Sequence, residues 1–156
     1  MGQFSSTMQL TRAADYGVRV MIHLASLPDH QRARLPALAC ATAAPQSFLS
    51  KVLQGLCRAG LIASRRGQSG GFEILLPGRR ASISAVIEAV DGPICLNLCM
   101  NPEADCQRKP FCPAHPVWAR AQEAMLKVLN EATVAELAAQ SCDLRVKASS
   151  SRSKTA

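Results

Sequence analysis

Between Pro45 and Leu76 the apolar period of the chain switches once, from helical to strand-like, and that switch limits the folds open to it. Phe48, Leu49, Val52, Leu53 and Leu56 recur at helical spacing, with Gln46, Ser47, Ser50, Lys51, Gln54 and Arg58 on the opposite face. Gly60 stands where a helix can end on a left-handed residue. Beyond it, Leu61–Arg65 and Phe72–Leu76 read as strands around Arg66-Gly67-Gln68-Ser69-Gly70-Gly71, whose glycines permit positive φ in a hairpin loop.

The flanking sequence fits this unit. Thr11 suits an N-cap, and Ala14, Val18, Met21, Ile22 and Ala25 form one face of a first helix that ends near Pro28. A polar turn runs through Arg34. Leu35–Thr42 reads as a second short helix, and Pro45 suits the first turn of a third, where its missing N–H costs nothing. Two short helices joined by a tight turn and followed by a basic hairpin are the pattern of a winged helix-turn-helix. The fold expected is mainly α with a small β-hairpin wing. Ser82 or Ser84 can cap a fourth helix carrying Ile83, Val86, Ile87 and Val90, which Asp91-Gly92-Pro93 ends. Val117, Ala121, Met125, Val128 and Ala132 then define a long amphipathic helix, suited to packing against a twin in a homodimer or onto its own domain. Thr133 and Glu136 form a capping box for a last short helix. The organisation expected is a disordered segment at 1–7, a winged helix-turn-helix at 8–80, a ligand-binding loop with dimerisation helices at 81–140, and a flexible tail at 141–156.

Charge sharpens the reading. The formal net charge is +7, and residues 1–80 carry ten Lys and Arg against only Asp15, Asp29 and Glu73, whereas residues 81–156 balance eight against eight. A basic surface confined to one half is the footprint expected for a polyanion such as duplex DNA. No run of apolar residues approaches a membrane span, and the first dozen residues lack a secretory signal, so a cytoplasmic protein is expected.

Seven cysteines cannot all pair within one chain, and a reducing cytosol opposes disulfides, so metal or redox chemistry leads. Cys99, Cys106 and Cys112 stand among polar and charged residues, with His115 following and Cys95 preceding them. Three thiols and an imidazole are a complete zinc set, yet zinc modules place ligand pairs two to four residues apart, and only Cys112 and His115 approach that. Iron-sulfur clusters accept thiolates from a longer loop, so spacing favours a cluster while leaving zinc open. Cys40 and Cys57 are expected as small core hydrophobes, and Cys142 lies near the tail. A thiol enzyme using Cys112 as nucleophile and His115 as base lacks a third, orienting group.

Together these features resemble the Rrf family of winged-helix transcription regulators, in its iron-sulfur branch (IscR-, NsrR- and RirA-like members). The resemblance covers about residues 8–139. It is carried by Met8-Gln-Leu-Thr-Arg-Ala-Ala-Asp-Tyr16, by Leu61–Phe72, by Ile83–Pro93, by the three-cysteine loop and by Val117-Trp118. It implies a homodimer on a palindromic operator, with the third helix in the major groove and the wing in the minor groove. Arg66 matches the family's wing arginine, which suits the negative potential of a narrow minor groove, and Arg65 adjoins it. Gln46, Ser47 and Lys51, on the exposed face near the start of the third helix, are the candidates for base or phosphate contacts. The resemblance also implies a 4Fe-4S or 2Fe-2S cluster on Cys99, Cys106 and Cys112. For the fourth ligand the first candidate is Asp15, matching a carboxylate that NsrR-like members donate from the partner subunit; the alternative is His115, matching the ligand of IscR-like members. The six-residue first spacing departs from the family's usual five, and Cys95 is an additional thiol. The function expected is regulation of operator affinity by the cluster's response to iron-sulfur supply, iron, redox stress or nitric oxide. Zinc or thiol-redox sensing on the same fold is the alternative.

Overall fold

The computed structural model describes residues 10–141. The segments expected to be disordered at 1–7 and flexible beyond 141, and Cys142, lie outside the described residues. The helices are α1 (Arg12–Ala25), α2 (Leu35–Thr42), α3 (Gln46–Arg58), α4 (Leu76–Arg80), α5 (Ile83–Asp91) and α6 (His115–Glu131). Residues 134–141 are also helical and are termed α7. Strands β1 (Ile62–Arg65) and β2 (Gly71–Ile74) form one antiparallel hairpin in which Ile62 pairs with Ile74 and Arg65 with Gly71. The fold is thus mainly helical with a two-stranded wing, as the sequence implies.

Local chemistry explains most boundaries. Thr11 caps α1 by accepting from the Ala14 amide at 3.1 Å, and its hydroxyl donates to Asp91, tying the start of α1 to the end of α5. At the end of α3, the Leu61 amide reaches Leu56 O at 3.1 Å and the Gly60 amide reaches Cys57 O at 3.0 Å, with Gly60 at φ +70°. This is the Schellman pattern, and glycine adopts it without the steric cost of a Cβ. Ser82, rather than Ser84, caps α5. Ser84 is buried and bonded to Asn130. The capping box at the start of α7 forms in both directions between Thr133 and Glu136.

Four details differ from the sequence reading. Pro45 is the N-cap of α3 rather than its first helical residue. The second strand ends at Ile74, because Pro77 opens α4, a short helix that went unforeseen. Cys40 is exposed on α2, not a core residue, while Cys57 packs at the edge of the core. Phe48 is 42% exposed and meets Tyr16 edge to face, so it rims the core instead of filling it.

Met21, Leu24, Leu38, Leu49, Leu53, Leu56, Ile62, Val86 and Val134 are fully buried. Removing each such side chain from water contributes about 1.5–3 kcal/mol. The core is continuous across residue 80, since α5 packs on α1 and α3 and Val134 of α7 joins the same cluster. Backbone bonds from Ile83 to Ala132 O and from Val134 to Ala81 O close that connection. By contrast, no residue of α6 is buried; Val117 is 60% and Val128 65% exposed.

Candidate functional site

The surface assembled by α3 and the hairpin follows directly from the Schellman turn, which sends the chain from the recognition-type helix straight into the wing. Gln46, Ser47, Ser50, Lys51, Gln54 and Arg58 are all exposed on α3, and Ser64, Arg65 and Arg66 are exposed on the hairpin. Between them lies a cleft of about 570 Å³ lined by Leu35, Leu53 and Phe72 on its apolar side and by Ser50, Gln54, Arg58, Arg65 and Arg66 among its polar residues. Cys57 also lines it, and burial pushes that thiol's pKa up, which makes it a weak nucleophile. The geometry therefore joins Arg65 and Arg66 to the same surface as α3. It also adds Arg58 at that surface, a residue that the sequence reading placed on the polar face without assigning it a contact.

The basic excess of the first half divides into two groups. Arg19 pairs with Asp15 at 2.7 Å and donates to Thr42 O; Arg32 pairs with Glu73; Arg34 donates to Gln68 O; Arg79 pairs with Asp29 at 2.9 Å and donates to Ala25 O. These cations serve the fold. Among the described residues, no ion pair or hydrogen bond engages the side chains of Lys51, Arg58, Arg65 or Arg66. The cations left without partners among the described residues thus include those on α3 and the wing, and they raise the local potential for an anionic ligand.

The cysteine loop runs from Pro93 to Ala114 and is anchored to α6 by a bond from the Leu96 amide to Gln122 Oε1 at 3.0 Å. Cys95, Cys99, Cys106 and Cys112 are half-buried and free. Cys99 sits in the turn Leu98–Met100, and the Cys112 carbonyl accepts from the His115 amide at the start of α6. His115 Nδ1 is buried and has no hydrogen-bond partner among the described residues. The donor chemistry fits an iron-sulfur cluster, with several free thiols and an unsatisfied imidazole nitrogen on one segment. The geometry is not pre-assembled: among the described residues, no group of three His, Cys, Asp or Glu side chains converges on a metal position. Asp15 lies on α1, exposed and paired with Arg19.

Residues 10–140 match the model of the Rrf2 family, described as an iron-dependent transcriptional regulator. The chain belongs to the Rrf2 family of transcriptional regulators. Rv1287 of Mycobacterium tuberculosis, whose name describes it as an HTH-type transcriptional regulator, is 32% identical over 135 residues, covering 84% of this chain and 81% of the relative. Among solved structures, CymR of Staphylococcus aureus has a TM-score of 0.65 at 27% identity, covering 82% of this chain and 96% of its own. CymR of B. subtilis, the global cysteine regulator, has a TM-score of 0.68 at 23% identity and covers 86% and 98%. IscR of T. potens has a TM-score of 0.69 at 22% identity and covers 86% and 88%. The last two likenesses are of fold alone. They include regulators with different names and do not choose an effector for this Rrf2 protein.

As an Rrf2 regulator the chain binds DNA, and no helix among its described residues is long and apolar enough to cross a membrane. One contributor to the hairpin's geometry was invisible in the sequence. The α1–α2 connection, read there as a polar turn, runs beside the wing as a third extended segment. Ala33 and Phe72 exchange backbone hydrogen bonds at 3.0 and 2.9 Å. Gly71 is required at this approach, because at φ +143° a Cβ would sit 2.8 Å from Ala33 O. A pairing that spans α2, α3 and β1 leaves no local periodicity, so nothing in the sequence around Ala33 marks it.

Proposed function

We propose that this Rrf2 regulator controls its operator affinity through an iron-sulfur cluster on Cys99, Cys106 and Cys112. The observation that carries the reading is the loop itself: three free, half-buried thiols and an imidazole whose buried Nδ1 has no partner among the described residues, all on the one segment that leads into α6. Burial of a polar atom without a partner is costly, and metal ligation is one way to satisfy it. For the fourth ligand this favours His115 over Asp15, whose carboxylate would first have to leave Arg19. When bound, the cluster supplies a redox- and oxygen-sensitive link among these side chains. The chain's own part is to join that loop to α6 through Leu96 and Gln122, and to pack α5 against α1 and α3.

On this reading residues 8–80 carry the DNA-binding surface and residues 81–140 the sensor and dimer contacts. Gln46, Ser47 and Lys51 contact bases or phosphates, Arg65 and Arg66 enter the minor groove from the wing, and α6 of two copies forms the homodimer. The effector shifts DNA affinity only through its different stability in the two conformations, and DNA shifts effector stability reciprocally. A second reading is thiol-redox sensing, or zinc, on the same loop; its free, half-buried thiols are open to oxidation without converging on one metal position. Anaerobic purification followed by absorption spectroscopy and by iron, sulfide and zinc analysis separates them. Iron with stoichiometric sulfide supports the cluster; zinc, or reversible oxidation of a metal-free protein that alters DNA binding, supports the second reading.

A further inference from the structure

The cations engaged inside the protein are not distributed at random. The α1–α2 connection brings Arg32 and Arg34 against the wing loop: Arg32 donates through one terminal nitrogen to Ser69 O at 3.3 Å, and Arg34 donates to Gln68 O. Arg32 Nε meanwhile binds Glu73 Oε2 at 3.2 Å, on β2. Glu73 is itself held by His30, at 3.0 Å, and this bond is the chief reason that its carboxyl titrates below the usual range. The two Ala33–Phe72 backbone bonds lie between these arginines. The wing loop between Arg65 and Gly71 has only one internal hydrogen bond besides, from the Gly70 amide to Gly67 O at 3.0 Å.

A loop of this kind, exposed and rich in glycine, pays a large entropy cost to hold one shape. Two guanidinium groups donating to successive carbonyls lower that cost, since charge-assisted bonds are the stronger class. Arg66 lies in the same loop, two residues before the first of those carbonyls, and makes no hydrogen bond or ion pair of its own among the described residues. We propose that Arg32 and Arg34 are positioning residues for the wing: they fix the loop from behind so that Arg66 is presented in one geometry to DNA. The proposal rests on the DNA-contact role assigned to Arg66 above. It distinguishes two kinds of arginine in one basic region, those that touch the polyanion and those that shape the element that does.

The test has two arms. In the free protein, native-state hydrogen exchange is measured for the wing amides, including Gly70 and Phe72, in wild type and in the Arg32→Ala/Arg34→Ala double variant. Loss of charge-assisted bonds should accelerate exchange there by about tenfold or more, while protection of the α1 and α3 amides is retained. In the second arm, affinity is measured for a duplex selected by the wild-type protein from a random-sequence pool, across the cycle of Arg34→Ala, Arg66→Ala and their combination. If Arg34 acts through the wing, the two losses are non-additive, and Arg34→Ala costs little once Arg66 is gone. Arg34→Lys, which keeps the charge but donates from a different geometry, should resemble Arg34→Ala. Unchanged exchange at the wing overturns the proposal, and so do strictly additive losses, which would mean that Arg34 contacts DNA directly. If exchange accelerates but Arg66→Ala leaves affinity unchanged, the clamp stands and the DNA-contact role of Arg66 is what fails.

Discussion

At Gly55 the recognition-type helix packs directly on the backbone of α5, and Gly55→Ala puts numbers on that contact. A Cβ there would lie 2.7 Å from Ala89 O and 3.4 Å from Val90 Cα, both backbone atoms of α5. Favourable contacts involving carbon lie at about 3.5–4.0 Å, so the helices must separate by roughly half an ångström or more. Two terms oppose each other. Alanine gains up to about 1 kcal/mol over glycine in a helix interior, whereas overpacking of this kind costs about 1–3 kcal/mol. Because no side chain can rotate away, the clash wins, and the net loss expected is about 1 kcal/mol. With a urea m-value of about 2 kcal/mol/M the unfolding midpoint falls by about 0.5 M. The assay is urea denaturation followed by circular dichroism, at one fixed protomer concentration because association shifts apparent stability. Gly17→Ala is the control: its closest contact is a side-chain methyl, Val90 Cγ2, at 3.0 Å instead of backbone at 2.7 Å, so even with a stiff valine χ1 the clash is smaller and the loss should be less than for Gly55→Ala. A midpoint for Gly55→Ala at or above wild type would refute the argument, by showing that α3 and α5 separate freely.

Three further outcomes are expected. Arg66→Ala should make log affinity fall less steeply with log salt, by about 0.9 per subunit engaged, and an unchanged slope in titrations over a range of salt would place Arg66 off the DNA. Glu136 is held below the usual glutamate range, first by the Thr133 amide and then by its hydroxyl. A lowered folded-state value means that the capping box stabilises above the ordinary glutamate pKa and is lost as pH falls through the folded one, so Glu136→Gln should flatten the acid limb of a stability-against-pH curve. Val128→Glu, on the exposed face of α6, should convert a dimer to a monomer in sedimentation at micromolar concentration; a wild-type monomer under the same conditions would remove the dimer proposal.

Sequence alone determined the elements whose cause is local. Thr11, the Thr133–Glu136 pair and Gly60 act within a few residues of themselves, and the α3 stripe depends only on the helical period, so each was legible before any tertiary contact was known, whereas the choice of Ser82 over Ser84 as the α5 cap was not. The family resemblance rested on the same local signatures, with the matched model covering residues 10–140. What only the tertiary structure decided depends on segments distant along the chain. The charge pattern marked ten basic residues in the first half, but it could not say that Arg19, Arg32, Arg34 and Arg79 are engaged by partners up to 54 residues away, whereas the cations of α3 and the wing have no such partners among the described residues. Nor could it show that Ala33 completes the wing, or that Val134 closes the core beneath α5, since pairing across sequence leaves no period to read. Cys40 and Cys57 make the same point. Both are cysteines on helices of the same unit, and only the tertiary packing shows that Cys57 on α3 is partly covered at the edge of the core while Cys40 on α2 is exposed.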